Sequence, residues 1–333
     1  MNDLYNEILE HILNYVSDVS CGFARVSKRF NAFFEKIKEE RKKDERNCFD
    51  KFSPFIVFTS YDKNKIFDKA SELNDKRVIE YLITKGANNW NSGMESAARG
   101  GHKDLVNFFI EKGADNWNGG MFGAAGGGHK DLVNSFILKG ANKWDWGMYD
   151  AAQGGFKELV DLFISKGANN WNYGMSGAAY GGHQQLIEFF ISKGANNWNR
   201  GMSGVAECGS KDLVEFFILK GANNWDHGMF GAARGGFKDL VEFFIEKGAN
   251  DWNNGMFAAA EGGHQHLVDF FIKKGANGWN WGMYIAAKGG YKDLVEFFIS
   301  KGANKWDWGM NGAAQGGHQH LVEFFKAKLE SAN

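Results

Sequence analysis

The stretch WNSGMESAARGGHKDLVNFFIEKGADNW, from Trp90 to Trp117, begins and ends on a tryptophan, and the same interval carries the series on through Trp144, Trp171, Trp198, Trp225, Trp252, Trp279 and Trp306. A constant period of this length is the signature of a stacked repeat. Three residues after each tryptophan comes Gly-Met, then a small pair such as Ala97-Ala98, which puts Met94, Ala97 and Ala98 on one helical face. Gly100-Gly101 ends this first helix, because glycine enters the left-handed cap conformation without a Cβ penalty. The run HKDLVNFFIEKG predicts a second helix with an apolar stripe of Leu105, Val106, Phe108, Phe109 and Ile110. Asp104 in its first turn and Lys112 in its last complement the helix dipole. Asn91, Asn118, Asp145 and Asn172, each following a tryptophan, are placed to cap the next helix.

One such unit cannot stand alone. Fixing its backbone costs roughly 1–2 kcal/mol per residue, while each large apolar side chain returns roughly 1.5–3 kcal/mol when fully buried. Neighbouring units must complete each core, so the chain reads as an all-α solenoid of helix pairs with modified ends. Residues 66–90 keep the register with Phe67, Ala70, Val78, Ile79, Tyr81, Leu82 and Ile83 but have Asn74 where later copies have glycine, as suits a leading cap. The last copy replaces Ile-x-Lys-Gly-Ala with Lys326, Lys328 and Leu329, as suits a closing cap. Eight regular units lie between, about ten in all over residues 62–333.

The pattern AAxGGHxxLVxFFIxKGA resembles the ankyrin repeat, whose inner helix ends in Ala-Ala before Gly-His and whose outer helix ends in Lys-Gly-Ala. Ankyrin units usually carry a Thr-Pro-Leu-His start and a β-turn finger. Here Gly-Met stands in that region, the connector is only Ala-Asn-x-Trp-Asn-x, and the single proline, Pro54, lies outside the array, so the finger is expected to be short or absent. The Trp-Asn-x-Gly-Met connectors resemble those of large DNA viruses. The resemblance implies a protein-binding scaffold, not an enzyme, with partners on the concave face.

Residues 1–45 lack the repeat. They show one apolar face at Leu4, Ile8, Leu9, Ile12, Leu13 and Val16, and a second at Phe23, Val26, Phe30, Phe33 and Phe34. LYNEILEHILNYVSDVSCGFARVSKRFNAFF resembles an F-box, although Tyr5 stands where that family usually has proline and the middle is shorter. What the resemblance implies is docking onto the Skp-type adaptor of a cullin–RING ubiquitin ligase through Leu4, Ile8, Leu9, Ile12, Leu13, Val26 and Phe30. The plainer reading is that these helices only cap the solenoid. Residues 46–61 read as a linker, with Phe52, Phe55, Ile56, Val57 and Phe58 packing toward the first repeat.

Composition excludes several classes. The net charge of −1 offers no surplus to attract nucleic acid or an anionic membrane, and the charges of EKIKEERKKDER, residues 35–46, nearly cancel. Cys21, Cys48 and Cys208 form no Cys-x-x-Cys pair, against a disulfide framework or a thiolate metal site. No secretory signal or membrane-spanning run is expected, which with the cysteine usage places the protein in the cytoplasm, a host cell's if its origin is viral. GAAGGGHKD lacks the Gly-Lys-Ser/Thr ending of a phosphate loop, no catalytic dyad stands outside the repeat pattern, and no cofactor is expected.

Residues that recur in register serve the repeat itself. The tryptophans fit packing better than a ligand ladder. The histidines at His102, His129, His183, His264 and His318 share their position with Phe156, Ser210, Phe237 and Tyr291, and since a metal site would not accept phenylalanine, turn packing is the expected role. His264 with His266 and His318 with His320 stand two apart, where helical side chains diverge. Recognition belongs to what varies: beside Gly-Met and on the inner helix these positions hold Trp146, Tyr149, Tyr173, Arg200, Phe230, Phe257, Trp281, Tyr284 and Trp308. These are hot-spot residue types and the candidate target-binding set. The alternative is that they fill gaps left by the shortened finger.

Overall fold

The computed structural model describes residues 63–84 and 86–331. Residues 1–45, with the F-box-like candidates Leu4, Ile8, Leu9, Ile12, Leu13, Val26 and Phe30, and the linker 46–61 lie outside the described residues. Among the described residues, twenty α-helices form ten consecutive pairs with no strand between them. The first pair is Lys63–Glu72 with Lys76–Thr84, a regular pair is Trp117–Gly126 with Lys130–Leu138, and the last is Trp306–Gln315 with Gln319–Ser331.

Every regular inner helix begins on its tryptophan, two residues earlier than a cap at the residue after tryptophan would place it. The cap is therefore the residue before tryptophan. Asn89 accepts a hydrogen bond from the Ser92 N–H at 3.2 Å, and Asn116, Asn170, Asn197, Asn224 and Asp251 repeat the arrangement. The asparagine after tryptophan does something else. Asn91 Oδ1 accepts from the N–H groups of Asp115 and Asn116 in the following unit, at 2.8 and 2.9 Å. Asn118, Asp145, Asn172, Asn199, Asp226, Asn253 and Asn280 make the same pair of bonds to their own neighbours. The short connector leaves two donors without a helical acceptor, and one oxygen from the previous unit satisfies both. An amide or a carboxylate oxygen serves equally, which explains why Asn and Asp alternate there.

Between the helices Gly101 takes φ 79°, and the His102 N–H returns to the Ala97 carbonyl at 2.9 Å, a left-handed cap. In the first unit Asn74 holds the same place at φ 56°, the lone non-glycine with positive φ among the described residues. Asparagine is the residue that tolerates this conformation next best after glycine. The Gly of each Gly-Met has a steric cause. A Cβ on Gly120 would lie 2.4 Å from the ring of Phe136, because the outer-helix phenylalanine lies against the bare inner helix.

Met94, Ala97 and Ala98 are fully buried, as are Phe109, Phe136, Phe163, Phe190, Phe217, Phe244, Phe271, Phe298 and Phe325, one in each unit after the first, in a continuous core. The paired Phe108 is half-buried, and its counterparts are covered by lysine stems. Lys112 Nζ lies 5.4 Å from the Phe108 ring, and Lys157 Nζ lies 4.1 Å from Phe189 of the next unit, so cation–π contacts also join units on the outside.

Neighbouring inner helices pack directly on one another, whereas backbone contact between neighbouring outer helices is sparse. A Cβ on Gly123 would fall 2.1 Å from the Glu95 carbonyl oxygen, and one on Gly231 2.2 Å from that of Ser203. Close inner backbones and splayed outer helices make each unit a wedge, so the inner helices line the concave side. The wedges accumulate until the ends meet. A Cβ on Gly317, in the last unit, would lie 3.1 Å from Asn64 Nδ2 in the first. At the far end the outer helix runs on to Ser331, and Ala314 is exposed where Ala98 and its counterparts are fully buried.

Candidate binding surface on the inner face

With Met94, Ala97 and Ala98 turned to the core, the opposite side of each inner helix presents the positions of Ser92, Glu95, Ser96 and Arg99 to the concave side. Eight of the nine sequence candidates gather there into two clusters. In the first, the rings of Trp146 and Tyr173 meet edge-on at 4.9 Å and those of Tyr149 and Tyr173 lie 4.7 Å apart. The Arg200 guanidinium sits 5.7 Å over Tyr173 and its Nε donates to Ser176 Oγ at 3.0 Å. Phe122 and Tyr180 flank the group, each with a centroid 6.3 Å from Trp146 and Tyr149 respectively. A cleft of about 670 Å³ opens beside Trp144, Trp146, Tyr173 and Arg200.

In the second cluster Trp281 stacks on Tyr284 at 4.8 Å, meets Trp308 edge-on at 6.2 Å and Phe257 at 6.5 Å. The Tyr284 hydroxyl donates to Gln315 Oε1 at 2.8 Å. Phe230 belongs to neither cluster and packs half-buried against the core. Trp146, Trp281 and Trp308 are 53%, 46% and 44% exposed, an unusual exposure for side chains of this size.

Sequence reasoning missed the charged groups beside these rings. Asp150 stands where other units have small residues such as Gly123, Gly177, Gly204 and Ala258. Burial, opposed by Arg99 and reinforced by Glu95, pushes its carboxyl up to about 7. Glu95 pairs with Arg99 at 3.7 Å, and burial raises its pKa. Farther along, Arg234 stands 3.6 Å from Glu207 and 3.5 Å from Glu261. Burial, opposed by Arg234, pushes Glu207 up to about 7. Burial lowers the His227 pKa, and Arg200 adds to the effect. For Asp150 the signal was available as a departure from the small-residue pattern at its register position, whereas Glu207 and Arg234 stand at a position that varies from unit to unit.

The in-register tryptophans, Trp90 through Trp306, are partly buried against the core, as packing residues. The histidines at the outer-helix start reach back one unit: His102 Nε2 lies 2.8 Å from the Glu72 carbonyl and His183 Nε2 3.0 Å from that of Gln153. One expectation is corrected. The rings of His264 and His266 lie 6.0 Å apart, and those of His318 and His320 6.1 Å, since the first of each pair precedes its helix and is not held in helical phase. Among the described residues no group of three His, Cys, Asp or Glu side chains is placed to hold a metal ion, and no helix is long and apolar enough to cross a membrane.

No curated protein matches the chain. Residues 202–308 match the family model for ankyrin repeats, in 3 copies. The same helix pairs continue in register on both sides of that stretch, so the described residues form an ankyrin-like solenoid of helix pairs.

Proposed function

We propose that this chain is a substrate receptor: the inner aromatic face captures a protein target, and residues 1–45 link it to a cullin–RING ubiquitin ligase through a Skp-type adaptor. The observation that carries the capture step is the exposure of Trp146, Trp281 and Trp308 on the concave side of a scaffold whose other large apolar residues are mostly buried. Desolvating rings of this kind is what dominates interface energy. The adaptor step rests on the F-box-like order of apolar residues from Leu4 to Phe30. The second reading, a pure scaffold or competitor without a ligase link, is favoured by Tyr5 in the place of the usual proline.

Co-purification of the full chain with the adaptor separates the two. Wild type is expected to retain the adaptor, and Leu9→Asp with Ile12→Asp to lose it while the helical content of the array is unchanged. Adaptor binding that ignores both substitutions, or no binding by wild type, leaves the pure scaffold.

A further inference from the structure

The meeting of Gly317 with Asn64 determines what the inner face can hold. In a straight stack the first and last of ten units would stand far apart. Here one turn of the array brings the connector edge of the first against the inter-helix turn of the last. Ten inner helices spaced about 8–10 Å give a circumference of roughly 80–100 Å, or about 25–32 Å between opposite helix axes. Helices are about 10–12 Å across with their side chains, so the free opening is roughly 15–20 Å. A folded domain of ordinary size, with a radius of gyration of about 13 Å, does not enter. An extended segment does.

The closure also places the two aromatic clusters. Trp146 and Trp281 hold the same register position five repeats apart, which is half of the ten units. They therefore face one another across the opening, whereas along a straight stack they would lie roughly 40–50 Å apart at the same spacing. The first cluster also holds an acidic side chain that no hydrogen bond occupies. Arg99 is engaged by Glu95, Arg200 by Tyr173 and Ser176, and Asp150 beside Tyr149 has no side-chain hydrogen bond or ion pair among the described residues. A cation brought beside Asp150 favours the ionised form of its carboxyl, and the electron-rich ring faces around it add to the attraction.

We propose that the closed turn holds a single unfolded segment of a protein partner, carrying a Lys or Arg between apolar side chains and gripped at once by the clusters around Trp146 and Trp281. The proposal rests on the inner-face reading above and adds the form and chemistry of the ligand.

Two measurements test it on the full chain. Spin labels at Trp146→Cys and Trp281→Cys, in a background with Cys21, Cys48 and Cys208 replaced by serine, are expected to report roughly 15–25 Å, and a separation of roughly 40 Å or more overturns the closed turn. Panning a random peptide library displayed on phage is expected to enrich a basic residue flanked by apolar ones. For one such peptide, Trp146→Ala and Trp281→Ala should each weaken binding about tenfold or more, and Asp150→Asn should weaken it only while its basic residue is present. Peptides without a basic residue, indifference to Asp150→Asn, or dependence on one cluster alone overturn the proposal, as does failure to enrich any peptide. Self-association lost in Trp146→Ala would make the occupant a second copy and overturn it too. If ligands bind undiminished by either tryptophan substitution, the inner-face reading itself fails.

Discussion

Asn199→Ala isolates the bond that ties one repeat to the next. Asn199 Oδ1 accepts from the Asn223 N–H at 2.8 Å and the Asn224 N–H at 2.9 Å, and its side chain has no packing duty in the core. Each bond is worth about 0.5–1.5 kcal/mol net, so losing both costs about 1–3 kcal/mol. The loss falls on the junction between two units and leaves the fold of each intact. In a one-dimensional array that weakens coupling, so the unfolding transition should broaden or split as well as shift. Asn199→Asp is the control, since Asp145 and Asp226 already do this task at other junctions. Urea unfolding followed by tryptophan fluorescence and circular dichroism reads the midpoint and breadth, and amide exchange at Asn223 and Asn224 reads the bonds directly. The reasoning is refuted if Asn199→Ala leaves the transition and those amides unchanged, or if Asp is as damaging as Ala.

Three further outcomes are expected. Phe217→Ala empties the space against Gly201 and should cost about 3–5 kcal/mol, seen as a lower urea midpoint; a cost under about 1 kcal/mol would mean that this row does not form the core. Glu207, with its side chain 5% exposed and its folded pKa pushed up to about 7 from 4.5, keeps its proton in the fold while the unfolded chain has already lost it, so stability falls as pH rises through that window. Glu207→Gln should then add stability on the order of 2–3 kcal/mol at pH 8, read as a higher Tm, and change nothing at pH 4; an equal effect at both pH values would deny the raised pKa. Asn74→Ala should cost about 1–2 kcal/mol at its left-handed φ, and Asn74→Gly next to nothing, measured by hydrogen exchange of the first helix pair.

Much of the scaffold was legible because it repeats. Met94, Ala97, Ala98 and Phe109 announce their burial by recurring through nearly all the units, and Asn74 announces its strain by standing where glycine recurs. The capping was misplaced for a physical reason. Asn stands on both sides of Trp90, either could cap a helix, and only the true helix start decides that Asn89 caps and Asn91 bonds to the next unit. The meeting of the ends could not be read at all, because it sums small wedges set by how closely Gly123 and its counterparts let inner helices approach. Eight of the nine candidate binding residues did gather into clusters, while Asp150, Glu207 and Arg234 were overlooked because charge on an inner helix was not sought.

The most direct measurement of the central claim compares two surfaces of the same folded protein. Affinity capture is run with the intact chain, with Trp146, Trp281 and Trp308 all changed to alanine, and with the outer-surface Leu138 and Leu219, 89% and 87% exposed, changed to alanine. With circular dichroism alike for all three, the protein target should be retained by the leucine variant and lost by the tryptophan variant. A target kept by the tryptophan variant and lost by the leucine variant would contradict the account and move the binding surface to the outside of the solenoid.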